Sequence, residues 1–163
     1  MNKEIKKLLE SDKNEQIEQG LKLINQKGTI KEIPLLINLL INTSDKNLEL
    51  KLIELFSNIK ISDTNKLIIE AFEKEKKTQA LLQICWQSRL NFSPYLSFFV
   101  DIFTIANFEE ALEAFTLIEV LLTDYKYSEE LKKESVLKLK ESLSKKDEQN
   151  QMLTVELIKI FES

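Results

Sequence analysis

The sequence has 163 residues, 43% of them hydrophobic and 31% charged, with a formal net charge of −4. That balance supports a buried core and excludes a disordered chain or a general polyanion-binding field. The absence of histidine and the single cysteine, Cys85, exclude an internal disulfide, a histidine-based zinc site and a Ser-His-Asp triad.

Only 2 Gly and 2 Pro occur, too few to punctuate an all-β chain, and apolar periodicity predicts helices throughout. The first runs from about Asn2 to Glu10, with Ile5, Leu8 and Leu9 on one stripe. Ser11 or Asp12 is placed to cap the second, which carries Ile17, Leu21 and Ile24 and stops near Gly28, where a left-handed residue is expected. The third begins at Ile33-Pro34, since Pro fits a first turn, and ends near Asn42. A fourth spans about Asn47 to Ile59. Ser62-Asp63 offers a cap for a fifth through about Lys74, and a sixth covers about Lys77 to Leu90. Ser93-Pro94 opens a seventh, to about Thr104. Asn107 caps an eighth to about Thr123, Ser128 a ninth, and Asp147 a tenth that closes the sequence.

Ten helices in short alternation imply repeats. Aligning alternate helices on Leu50, Leu81 and Leu112 gives intervals of 31 residues, and Pro34 and Pro94 lie 60 apart. The expectation is an all-α fold, a right-handed α-α superhelix (solenoid) of about five antiparallel pairs in one domain, residues 1–163. The pairs fall at 1–28, 30–60, 62–91, 92–124 and 127–163.

Residues 30–60 carry the most specific pattern. Pro34 precedes a Leu- and Ile-rich stripe, and the turn that follows places Asp45 six residues before Lys51. This segment resembles a HEAT repeat, and residues 92–123 match in part through Pro94 and the apolar stripe. The period of 31 is shorter than the roughly 40–47 of HEAT and armadillo repeats. The resemblance implies a curved solenoid, with Asp45 and Lys51 in a polar ladder between repeats and second helices that usually line the concave side and bind a partner; many such proteins have no activity of their own.

No catalytic constellation, metal site, glycine-rich phosphate loop or cofactor site is legible. Cys85 reads as a small buried hydrophobe on the sixth helix, and the many carboxylates read as solvated helix faces. No apolar run approaches the ~20 residues of a membrane span, and the amino terminus shows no apolar leader, so a cytoplasmic location is expected.

Charge is distributed unevenly. Between residues 78 and 125 the only cation is Arg89, against six acids, net −5; the remaining residues sum to +1. Eight of the 13 aromatics lie between Trp86 and Phe115. One explanation is a buried centre. The other is an aromatic, acid-rimmed recognition surface, since interfaces favour aromatics and disfavour Lys. On the sixth helix, Leu81, Ile84, Cys85 and Ser88 share a face, and Trp86 points about 140° from its centre, with Leu82 and Arg89 near it.

The leading expectation is therefore a non-catalytic adaptor or scaffold. It would bind a basic or amphipathic protein segment through Leu82, Trp86, Arg89, Tyr95, Glu109 and Glu113. The alternatives are a nucleic-acid-binding or DNA-glycosylase-like repeat protein, resting on the Lys-rich stretch 126–146, and an oligomer subunit, homodimeric through the C-terminal helix. A single Arg among 23 basic residues disfavours nucleic acid.

Overall fold

Among the described residues five helix starts carry a side-chain cap. The Asn2 Oδ1 accepts the N–H groups of Glu4 and Ile5, and Asp45 accepts those of Asn47 and Leu48. Asn107, Ser128 and Asp147 accept from Glu110, Leu131 and Asn150. Each occupies otherwise orphaned N–H groups of a first turn, a cap that contributes about 1 kcal/mol.

The computed structural model describes residues 2–88 and 90–163. Those residues form α1 (Lys3–Leu9), α2 (Asn14–Lys27), α3 (Ile33–Asn42), α4 (Lys46–Asn58), α5 (Thr64–Ala71) and α6 (Thr78–Gln87). Then follow α7 (Leu96–Ile105), α8 (Phe108–Asp124), α9 (Glu129–Ser142) and α10 (Glu148–Glu162). Short 3₁₀ turns lie at 72–74, 93–95 and 143–145, and no strand occurs among the described residues. The protein is all-helical, and no described helix is long and apolar enough to cross a membrane.

Several expected signals act differently. Ser11 does not cap α2; its hydroxyl accepts the Lys13 N–H and donates to Gln16, while Lys13 precedes the helix without a side-chain cap. Asp63 sits at φ 62°, in the left-handed region, and its carboxylate takes the Lys66 ammonium at 2.6 Å instead of the helix N–H groups. Ser93-Pro94 opens a 3₁₀ turn, and α7 proper starts at Leu96. Gly28 is extended (φ −66°, ψ 149°), not left-handed. What favours glycine there is a close approach: a Cβ would lie 2.6 Å from the Ile24 carbonyl oxygen.

The chain divides into two compact units, residues 1–90 and 91–163, parting where the third expected pair meets the fourth. In the first unit α1 packs on α3 and α3 on α5, while α2 packs on α4 and α4 on α6. First helices thus form one layer and second helices another. Between them Ile5, Ile33, Leu36, Leu40, Leu52, Phe56, Ile68 and Leu81 are fully buried. In the second unit α7 contacts α8 and α9, and α10 contacts α8 and α9. Leu96, Phe99, Val100, Phe103, Ala114, Ile118, Leu139 and Leu157 form its core.

The 31-residue alignment does not hold one face. Leu81 is buried, whereas Leu50 and Leu112 are exposed. The aligned helices α4, α6 and α8 have 13, 10 and 17 residues, so a fixed interval drifts around the helix from one to the next.

Gly20 lies on α2 close against α1. A Cβ there would meet Leu9 Cδ2 at 2.9 Å and Leu8 Cβ at 3.2 Å. Gly20→Val is expected to lower stability by about 2 kcal/mol, because prying α1 from α2 outweighs the propensity gained by removing a mid-helix glycine. Urea unfolding checks this; an unchanged midpoint would mean that α1 and α2 separate freely.

Candidate functional site

The second-helix layer of the first unit is tied together by a run of polar contacts. The Asn14 amide donates to Asp45 at 3.5 Å, and the Lys51 ammonium donates to Glu18, both joining α2 to α4. The Lys77 ammonium donates to Glu49, and Ser57 donates to Gln87 at 3.3 Å, joining α4 to the start and end of α6. Asp45 and Lys51, the pair singled out in the sequence, both reach the preceding second helix.

Burial and charge differ along this run. Glu18 is half-buried, and the hydrogen bond and charge of Lys51 hold its carboxyl below the ordinary range. Glu49 is buried. Desolvation raises its pKa, but hydrogen bonds from Lys77 and Lys46 outweigh that and leave it lowered. The Lys46 ammonium lies 3.0 Å from Glu49 and is itself largely exposed. Glu49 is thus a structural anchor, while Glu18 and Lys51 stand at the surface.

Two grooves flank the Glu18–Lys51 pair. One, of about 260 Å³, has Leu21 and Leu55 in its floor and Lys22, Asn25, Glu54 and Asn58 along its sides. The other, of about 130 Å³, lies toward Asn14, Asp45 and Asn47. Between them they offer amide donors and acceptors, charges of both signs and an apolar floor, a lining suited to a peptide backbone and its side chains. On the same layer Leu50 is 59% exposed on α4. On α6, Gln79 is exposed and Gln83 and Trp86 are half-buried, on the arc opposite the buried Leu81, Ile84 and Cys85.

The residues expected to form the recognition surface fall in both units and differ in burial. Leu82 is fully buried, so it packs the core and cannot meet a partner. Trp86 is half-buried and lies with Leu82 in the first unit. Tyr95 and Glu113 are half-buried and Glu109 is exposed, all in the second unit. Arg89 lies outside the described residues. Of the eight aromatics in this window Phe92, Phe99 and Phe103 are buried, with Phe99 edge-on to Phe92 and Phe98 at 6.1 and 5.5 Å between ring centroids, while Trp86, Tyr95, Phe98, Phe108 and Phe115 are half-buried. Cys85 is buried, and desolvation raises its thiol pKa well above the ordinary value, which keeps it protonated.

The Lys-rich stretch is largely committed to the protein itself. Lys138 pairs with Asp101 at 2.6 Å, Lys132 with Glu129 at 3.7 Å and Lys140 with Glu162 at 3.0 Å. Lys146 donates to the Phe103 carbonyl at 2.8 Å and sits 4.4 Å over its ring, and burial lowers its pKa. That occupies four of the seven lysines of the stretch and weakens its claim to track a phosphate backbone. Among the described residues no cluster of His, Cys, Asp and Glu could hold a metal ion.

Sequence reasoning missed Glu32 and Glu49, the two buried carboxylates among the described residues. Both sit at positions that periodicity assigns to a helix start or a solvated face, and each is reached by a partner about thirty residues away, Asn2 and Lys77 respectively. Comparisons with protein-family models, with curated proteins and with solved structures find no match.

Proposed function

We propose that the protein is a non-catalytic adaptor, a cytoplasmic helical-repeat scaffold whose partner docks on the outer face of α2, α4 and α6. HEAT- or armadillo-like stacking into a right-handed superhelix belongs to the same proposal, and the resemblance of residues 30–60 is its basis. The observation that carries the docking reading is the pair of grooves around Glu18 and Lys51, with Leu50 and Trp86 on the same layer. The partner is an amphipathic protein segment. Its apolar side chains would meet the exposed Leu50, and its charges would meet Lys22, Lys51, Glu18 and Glu54. This face is preferred to the aromatic, acid-rimmed site, because Leu82, Phe92, Phe99 and Phe103 of that region are buried.

Leu50→Asp tests the reading with little risk to folding, since the side chain is exposed and such substitutions stay within about 0.5 kcal/mol. Affinity capture from the native cell, compared with wild type, is expected to lose partners at least about tenfold. Trp86→Ala is expected to weaken the same partners. Undiminished capture by both variants, with melting curves like wild type, would sink this face.

A further inference from the structure

The second unit carries a groove of about 610 Å³ between α9 and the end of α10. Val136, Leu137 and Phe161 give it an apolar lining, and Lys132, Lys133 and Lys140 rim it. Leu137 is 60% exposed. The acids in the groove are Glu129 and Glu162, and each already pairs with a rim lysine, Lys132 and Lys140 respectively. Among the described residues Lys133 has no ion pair.

The outer arc of α10 shows the opposite pattern. Glu148, Met152, Val155, Glu156 and Lys159 recur at helical spacing on one exposed stripe. Met152 is 70% exposed and Val155 44%. Glu156 pairs with Lys159 at 3.0 Å, which leaves Glu148 as the uncompensated charge. The groove therefore presents an apolar lining and one spare cation. The stripe presents two apolar side chains and one spare anion.

We infer that the protein forms a homodimer in which the α9–α10 groove of each copy receives the outer stripe of α10 from the other. Donor and acceptor lie side by side on one helix pair, so a two-fold axis satisfies both at once. Met152 and Val155 of the second copy cover Leu137, and its Glu148 meets Lys133. One association thereby buries three exposed apolar side chains per copy and neutralises the spare charge on each. This surface belongs to the second unit and is independent of the docking face on α2, α4 and α6.

Sedimentation equilibrium on the full chain tests it. Wild type is expected to give twice 19.0 kDa at micromolar concentration. Met152→Asp, at an exposed position, is expected to raise the dissociation constant at least about tenfold with an unchanged helical spectrum. Lys133→Glu alone and Glu148→Lys alone each weaken the dimer about threefold or more, and the double variant restores it, as only a direct charge contact allows. A monomeric wild type, a dimer indifferent to Met152→Asp, or a double variant no stronger than the single ones overturns the inference.

Discussion

Phe99→Ala is expected to cost about 3–5 kcal/mol, the range for deleting a fully buried aromatic side chain. Phe99 is wholly inaccessible on α7, the helix that packs on both α8 and α9 in the second unit. Its ring makes edge contacts with Phe92 and Phe98, at interplanar angles of 70° and 68°. Removing it forfeits the transfer energy of the ring and both aromatic contacts, and opens a cavity that Val100 and Phe103, themselves anchored, cannot fill. A single domain holds only about 5–15 kcal/mol in total, so the loss takes a large fraction of it. Ile105→Ser on the same helix is the control: Ile105 is 85% exposed, and the change should stay within about 0.5 kcal/mol. Urea midpoints of the two variants check the contrast. Were Phe99 part of a recognition surface, its loss would spare stability and weaken binding; a midpoint near that of wild type would restore that reading.

The same residues show what the sequence could and could not carry. The ten helices were legible because Leu and Ile recur at helical spacing and because Asn107, Ser128 and Asp147 stand where caps belong. These are local signals, set by the backbone geometry of one turn. The third helix, Ile33–Asn42, starts where Pro34 requires. The aromatic cluster was ambiguous for a physical reason: a ring on a helix is equally at home in a core or an interface, and one chain does not say which neighbour covers it. Trp86 illustrates the point from the other side. At 100° per residue it does lie away from Leu81 and Cys85, yet Leu82, only about 40° from Trp86 around the helix, is buried by packing that periodicity alone does not assign. The Glu18–Lys51, Glu49–Lys77 and Ser57–Gln87 contacts span 33, 28 and 30 residues. Each joins one of α2, α4 and α6 to the next, and the separations differ because the intervening helices and turns differ in length.

Glu32→Ala is expected to cost about 2–4 kcal/mol near neutral pH, and the cost should shrink on acidification. Glu32 is 1% exposed, just before α3. One carboxylate oxygen accepts the Asn2 N–H at 2.7 Å; the other accepts the Thr29 N–H at 2.9 Å and its hydroxyl at 2.7 Å. One side chain thus fastens the start of α1 to the turn between α2 and α3. Burial pushes its pKa up, but the hydrogen bonds from Thr29 and from the Asn2 N–H outweigh that and hold it below the ordinary 4.5. A folded-state pKa below the unfolded value means stability that is complete above pH 4.5 and lost as the pH falls through the lower, folded value. Truncation strands three donors at neutral pH. In acid, wild type surrenders the same charge-assisted bonds by protonation, so the two proteins converge. Glu32→Gln should fall between them, since its amide oxygen can still serve Thr29 while its NH₂ faces the Asn2 N–H. Urea midpoints from pH 7 down to pH 3 measure the gap. A gap that stays constant over that range would show that shape, not charge, makes Glu32 hold the amino-terminal helix.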